Sequence, residues 1–151
     1  MRWFPLFLFS LFLVVGVDQG VKSLFLAGFT YQTSCFSLIL TYNSGVAFSF
    51  LAELGGLKYL LIGVLVGLGA GLIYSGIAQK HPVWTGVLLG SGLSNLLDRF
   101  LQGGVVDYFY WHCGFKFAIF NLADVLIDLS IAALLLSAVL EAKGRVEEKE
   151  G

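Results

Sequence analysis

The segment AIFNLADVLIDLSIAALLLSAVL, residues 118–140, decides the fold class. An α-helix needs about 20 mostly apolar residues to cross the hydrocarbon of a bilayer, and this segment meets that requirement. It nevertheless contains two carboxylates, Asp124 and Asp128. A charge at such a depth costs about 2.5–3.5 kcal/mol on insertion scales, so these residues usually face protein or water and have a function.

Three further segments have the same apolar character, residues 3–26, 57–77 and 83–101. Of the 151 residues, 58% are hydrophobic and 13% are charged, whereas soluble domains are about 45–50% apolar and about 25% charged. Lipid cannot satisfy open backbone groups, so helices are the expected spanning elements. The sequence predicts an all-α membrane protein of one domain, residues 1–151, with four transmembrane helices.

The chain begins with MRWFPLFLFSLFLVV, which has the basic residue and apolar run of a signal peptide. No small-x-small cleavage site follows, and we therefore expect this segment to be a retained helix. Between the first two spans, apolar residues alternate with others over residues 36–42, which is typical of a half-buried strand. We expect residues 28–56 to form a small β-containing platform outside the membrane.

Several classes of function find no support in the sequence. The net charge of −1 gives no basic surface for a nucleic-acid partner. The His and Cys residues are too few for a zinc site, no HExxH motif occurs, and we expect no metal or other cofactor. Cys35 and Cys113 would form a disulfide only if both faced an oxidising compartment, and two isolated cysteines leave that question open.

Small residues recur every fourth position in the second and third spans. Gly63, Gly67, Gly71 and Ser75 form one series, and Gly86, Gly90 and Ser94 form another. Residues four apart share a helix face, and small side chains let helix backbones approach closely in membranes. We expect both series to be packing stripes between helices.

Polar residues near the predicted membrane fall into five clusters. These are VDQGVK (17–22), YNSG (42–45), SNLLDRF (94–100), VVDYF (105–109) and FNLAD (120–124). With four spans, the end of the first, the start of the second, the end of the third and the start of the fourth lie on one side. All five clusters are therefore expected to meet at that side.

The acids of these clusters are Asp18, Asp98, Asp107 and Asp124. Two carboxylates held close together cannot both ionise easily, so one keeps its proton. The ionised acid can take a proton from water while the protonated one polarises a carbonyl. Asp18 lies four residues before Lys22, and an interfacial ion pair between them is at least as good an interpretation as a catalytic role.

The ordered set VDQGVK, YNSGVAFSF, SNLLDRF, GGVVDYF and FNLAD resembles the lipoprotein signal peptidase (signal peptidase II) family. The resemblance implies a four-helix aspartyl endopeptidase of the bacterial inner membrane, with its active site facing the extracytoplasmic side. We expect a monomer, although the sequence does not give the oligomeric state. Such enzymes cleave prolipoproteins before a diacylglyceryl-modified cysteine, within membrane lipids. The implied dyad is Asp107 and Asp124. The implied supporting residues are Asp18, Lys22, Asn43, Asn95, Asp98, Arg99 and Asn121.

A few positions depart from the family pattern. Ser94 stands where glycine is common, Ala118 replaces a frequent proline, and Val125 stands where serine is frequent. Residues 45–48 match the family's extracytoplasmic loop segment. Asp128 has no counterpart in the pattern, and we expect it to form a buried polar bridge to a neighbouring helix rather than to act in catalysis.

Two other classes of protein remain as alternatives. A small transporter or proton-relay protein would also carry intramembrane carboxylates, although no polar chain crosses the predicted bilayer here. A non-catalytic assembly partner would use the glycine stripes. Cleavage of a lipidated precursor, set against movement of protons or solute across sealed vesicles, separates the three.

Overall fold

The computed structural model describes residues 2–45 and 56–150. In chain order the elements are helix α1 (Trp3–Leu26), strands β1 (Tyr31–Gln32) and β2 (Phe36–Asn43), helices α2 (Leu57–Tyr74), α3 (Ile77–Lys80) and α4 (Pro82–Leu101), strand β3 (Val105–Trp111) and helix α5 (Leu122–Glu150). Most of the loop segment expected at residues 45–48, and the end of the expected platform, lie outside the described residues.

Three described helices are long and apolar enough to cross a membrane: α1, α2 and residues 122–147 of α5. Helix α4 also has 20 residues, but it buries a polar series that includes Ser91, Ser94, Asn95 and Asp98. It packs against α1, α2 and α5. Helix α4 is therefore the centre of the bundle, and neighbouring helices cover its polar side chains.

Close packing of α4 on α1 depends on two glycines. A side chain at Gly86 would collide with Ser10 and with the backbone of Phe7. A Cβ at Gly90 would lie 2.6 Å from the carbonyl oxygen of Leu11, well inside van der Waals contact. The packing stripe expected on this helix is confirmed.

The stripe expected on α2 is wrong. A Cβ at Gly63, Gly67 or Gly71 would meet no heavy atom of the described residues within 4 Å. Helix α2 instead meets α4 through other residues, because a Cβ at Gly69 would lie 3.4 Å from the side chain of Leu89. Four-residue spacing shows which residues share a face, but not which face meets a neighbour.

The three strands form one antiparallel sheet in the order β1-β2-β3. In its register Thr41 pairs with Asp107 and Asn43 with Val105, and an irregularity lies between Leu38 and Thr41. The strand expected over residues 36–42 is confirmed as β2. Strand β3 was not expected, and it carries one of the two acids of the implied dyad.

A disulfide joins Cys35 to Cys113, 78 residues apart in the chain. It lies beside the paired ends of β2 and β3, where the His112 N–H donates to the carbonyl of Cys35 at 2.9 Å. The bond therefore fastens the two strands that carry Asn43 and Asp107.

Candidate active site

Asp124 lies in the first turn of α5 and is fixed by a reciprocal pair of hydrogen bonds. The Asp124 N–H donates to Asn121 Oδ1 at 2.9 Å, and the Asn121 N–H donates to Asp124 Oδ2 at 3.2 Å. This arrangement is a capping box, which satisfies two backbone donors that a helix start leaves without partners. The positive end of the helix dipole also stabilises a carboxylate at this position.

Asp107 lies on β3 with its side chain only 1% exposed. It accepts hydrogen bonds from Asn43 Nδ2 at 3.0 Å and from Asn121 Nδ2 at 2.8 Å. Burial raises the pKa of Asp107 to about 6, the bond from Asn43 opposes that rise, and the negative charge of Asp124 adds to it. Near neutral pH this carboxyl therefore exchanges a proton readily.

Two asparagines connect the carboxyl groups of Asp107 and Asp124. Asn121 binds both acids, Asp107 through its side-chain amide and Asp124 through its backbone N–H. Asn95 Nδ2 donates to Asp124 Oδ1 at 2.8 Å, and Asn95 Oδ1 accepts from Asn121 Nδ2 at 3.1 Å. The two acids thus belong to one hydrogen-bonded network built from α4, β3 and α5.

A buried ion cluster lies next to this network. Lys22 Nζ lies 2.6 Å from Asp18 Oδ2 and 2.7 Å from Asp98 Oδ2, with all three side chains at most 2% exposed. The same ammonium donates to Asn95 Oδ1 at 2.9 Å. Buried charges need partners of this kind, because an unpaired ion in the interior is strongly unfavourable.

The acids of the ion cluster position the elements that carry Asp107 and Asp124. Asp98 Oδ2 accepts from the N–H of Val106, one residue before Asp107, at 3.1 Å. Asp18 Oδ1 accepts from the N–H of Ala123, one residue before Asp124, at 3.0 Å. Asp18 and Asp98 are therefore positioning residues, and the buried cluster is more than the interfacial ion pair considered from the sequence.

Three polar residues of this region were not predicted from the sequence to be site residues. Gln19 Nε2 donates to Asp98 Oδ1 at 2.7 Å, and Ser94 Oγ donates to Asp18 Oδ2 at 2.6 Å. The Tyr108 hydroxyl accepts from the N–H of Leu122 at 3.0 Å. All three lie inside the polar clusters of the sequence, and that position was the signal that could have identified them as part of the site. The departure at Ser94 affects hydrogen bonding as well as packing.

Arg99 lies at the edge of the network, beside an opening between helices. It donates to the carbonyl of Asn95 at 3.1 Å, while its buried Nε has no partner among the described residues. A cavity of about 260 Å³ lies here between α2, α4 and α5, with Asn95, Arg99 and Ile127 in its wall. A polypeptide carbonyl in this cavity could accept from an outer N–H of the Arg99 guanidinium, whereas the buried Nε is out of its reach.

Asp128 does not form the expected buried bridge. Its side chain is exposed on α5, one turn beyond Asp124. The expectation is wrong because, of the two aspartates of α5, Asn95 and Asn121 cover only Asp124. Asp128 lies one turn further along the helix, outside that contact.

The chemistry open to the site is that of paired carboxyls. Within residues 2–45 and 56–147, no group of three or more His, Cys, Asp or Glu side chains could hold a metal ion. One acid with a raised pKa, next to a second acid at a helix start, can serve as proton donor and acceptor for water and an amide.

Comparison with known proteins places the chain in a family. The family described as signal peptidase (SPase) II matches residues 10–140. The chain belongs to the signal peptidase II family. One relative is a lipoprotein signal peptidase of Helicobacter pylori (strain HPAG1), which is 49% identical over 86% of this chain and 84% of its own length. Another is a lipoprotein signal peptidase of Wolinella succinogenes, which is 47% identical over 87% of this chain and 91% of its own length.

Solved structures support the same fold for this signal peptidase II family member. One bacterial membrane enzyme superposes with a TM-score of 0.72 at 23% identity, covering 89% of this chain and 92% of that one. A second gives a TM-score of 0.69 at 22% identity, covering 92% and 90%. At this identity the likeness concerns the fold alone.

Proposed function

We propose that the protein is an aspartic endopeptidase that removes the signal peptide of diacylglyceryl-modified prolipoproteins, cutting before the lipidated cysteine. The observation that carries the proposal is the shared network of Asp107 and Asp124. Asn121 donates its side-chain amide to Asp107 and its backbone N–H to Asp124, so one residue holds acids from two separate elements. A cavity that opens between helices lies beside them. Family membership supplies the substrate class.

In the proposed reaction, the ionised carboxylate of Asp124 takes a proton from a water molecule. The water oxygen forms a bond to the scissile carbonyl carbon, and protonated Asp107 donates its proton to the developing oxyanion. The tetrahedral intermediate then collapses: one of its hydroxyls returns a proton to Asp107, the C–N bond breaks, and the departing amine of the cysteine takes the proton from Asp124. The raised pKa of Asp107 supports its assignment as the proton donor.

The supporting residues have separate tasks in this proposal. Asn43 and Asn121 hold Asp107, and Asn95 holds Asp124. Lys22, Asp18 and Asp98 fix the backbone next to both acids. Arg99 binds a substrate carbonyl through an outer N–H of its guanidinium, from the wall of the cavity between α2, α4 and α5.

The membrane arrangement is part of the same proposal. All four long helices cross the bacterial inner membrane, α4 included, as one domain with both termini in the cytoplasm. The acids then face the extracytoplasmic side. The Cys35–Cys113 disulfide supports this orientation, because such bonds persist in oxidising compartments and are rare in the cytosol. The substrate reaches the site sideways from the lipid, between α2 and α5.

The test is cleavage of a purified diacylglyceryl precursor by the reconstituted protein. Asp107→Asn and Asp124→Asn should each abolish the shortened product, because either change removes one of the two proton-transfer groups. Asp128→Asn is the matched control, as it makes the same chemical change one turn away, and it should keep most of the activity. Normal turnover by either dyad variant would refute the assignment.

A further inference from the structure

An apolar concavity lies on the sheet beside the two acids. It has a volume of about 350 Å³ and five aromatic residues form its wall: Phe109, Trp111, Phe115, Phe117 and Phe120. We call these five residues the aromatic trough. Phe115 and Phe117 are 63% and 53% exposed. On a soluble protein, exposed apolar surface of this kind marks an interaction site; here the trough faces either bilayer lipid or a bound apolar group.

The aromatic trough is continuous with the acid pair. Side chains two apart on a strand point to the same face, so Asp107, Phe109 and Trp111 follow one another along one face of β3. At a rise of about 3.3 Å per residue, the trough begins about 7 Å from Asp107. On its other side, Phe120 exchanges two backbone hydrogen bonds with Phe109 and immediately precedes Asn121.

The proposed substrate has an apolar group close enough to the scissile bond to reach the trough, about 7 Å from Asp107. Under the proposed function, the residue after the scissile bond is a cysteine whose sulfur carries a diacylglyceryl group. Asp107 lies on the sheet rather than in a membrane helix, and we infer that the carbons nearest the glycerol leave the hydrocarbon when the cysteine reaches it. Each methylene that water would then touch costs about 0.8 kcal/mol, a factor of about four in affinity. A purely aromatic trough removes this cost, whereas it offers nothing to the polar peptide.

We propose that the aromatic trough binds the glycerol-proximal part of an acyl chain on the substrate cysteine, and so makes the lipid a recognised part of the substrate. This inference rests on the proposed function. It goes further because it names where the acyl chain lies and which residues contact it.

The first experiment compares precursors that carry dipalmitoylglyceryl or diacetylglyceryl cysteine. The variant Phe115→Ser/Phe117→Ser opens the trough at its two most exposed walls. It should lower kcat/KM for the dipalmitoyl precursor by about ten-fold or more, since water then reaches at least two methylenes. For the diacetyl precursor, which has no methylenes to bury, kcat/KM should stay within about two-fold of the wild type. Phe29→Ser is the matched control, because Phe29 is 50% exposed and lies outside the trough.

Two outcomes of this comparison would overturn the trough proposal. An equal loss on both precursors would mean that the trough anchors the platform in bilayer lipid, and no loss on either would mean that it binds nothing relevant. If the wild type cut neither precursor, the proposed peptidase function would fail. A separate measurement of precursor binding would then test whether the trough holds an acyl chain.

Binding is read through Trp111, one of three tryptophans in the chain. Trp3→Phe and Trp84→Phe leave it as the only indole, and Asp124→Asn stops turnover. A precursor with brominated acyl chains should quench its fluorescence, and Phe115→Ser/Phe117→Ser should remove that quenching. Unchanged emission, or equal quenching by brominated phospholipid without precursor, would refute acyl binding in the trough.

Discussion

Asn43 offers a direct test of the proton assignment, because it acts on Asp107 from a strand that carries neither acid. Its amide donates to Asp107 Oδ2 at 3.0 Å, and this bond lowers the pKa of Asp107 against the rise that burial causes. A hydrogen bond to a charged group is worth about 1.5–3 kcal/mol, and about 1.4 kcal/mol corresponds to one pKa unit. If water replaces part of the lost bond, Asn43→Ala should raise the pKa by about one unit, from about 6 to about 7.

The sign of the effect on activity follows from the proposed mechanism. Asp107 acts in its protonated form, so kcat/KM falls as pH rises through its pKa. The pH dependence of kcat/KM reports groups of the free enzyme. Asn43→Ala should therefore move the high-pH limb of that profile upward by about one pH unit, whatever it does to the maximal rate.

The assay is precursor cleavage in detergent micelles over a pH series. Tyr42→Ala is the control for disturbance of the strand, because Tyr42 is exposed and adjacent in β2. It should lower activity without moving the limb. A limb that stays in place for Asn43→Ala, or moves to lower pH, would show that Asp107 is not the proton donor.

Three stability measurements test the supporting structure. Lys22→Met leaves two buried carboxylates without their cation and should lower the free energy of unfolding by about 3–5 kcal/mol; a neutral effect in denaturant titration would contradict the ion cluster. Gly90→Leu should cost about 1–3 kcal/mol by overpacking against α1, whereas Gly67→Leu should leave the Tm in detergent unchanged, and equal effects would contradict the helix contacts. Relative to the oxidised wild type, Cys35→Ser/Cys113→Ser should lower the free energy of unfolding by about 2–4 kcal/mol. A Tm equal to that of the wild type would show that the disulfide does not stabilise the protein.

The convergence of the acids was predictable because it follows from topology. Four alternating spans, as expected from the sequence, would place the end of α1, the end of α4 and the start of α5 on one side, and in the structure these ends do meet. The motifs around Asp18, Asn95 and Asp124 therefore had to meet at one end of the bundle. Asn121 and Asp124 also lie three apart, the spacing at which their reciprocal hydrogen bonds form.

The details of pairing were not predictable, because they depend on contacts between distant residues. Asp98 accepts a hydrogen bond from the backbone N–H of Val106, and nothing local to either residue shows this. Strand β3 was missed because its residues, VVDYFYW, lack a period of two. Its strand conformation comes from pairing with β2 on one edge and with Phe120 on the other.

Helix faces were the other limit of sequence reasoning. Gly86 and Gly67 carry the same four-residue signal, yet only the first meets another backbone. Asp124 and Asp128 likewise share a face of α5, but only the first lies under the asparagine network. Periodicity fixes relative direction within one helix, and the neighbour that each face meets is set by the whole bundle.

The bonds from Asp18 to Ala123 and from Asp98 to Val106 have a consequence for biogenesis. Helix α1 is made first, and its Asp18–Lys22 pair finds Asp98 and the start of α5 only after nearly all of the polypeptide has left the ribosome. A partly synthesised chain in the bilayer accordingly has no assembled proteolytic centre. Under the proposed function, cleavage of precursors therefore has to wait until helix α5 has been inserted.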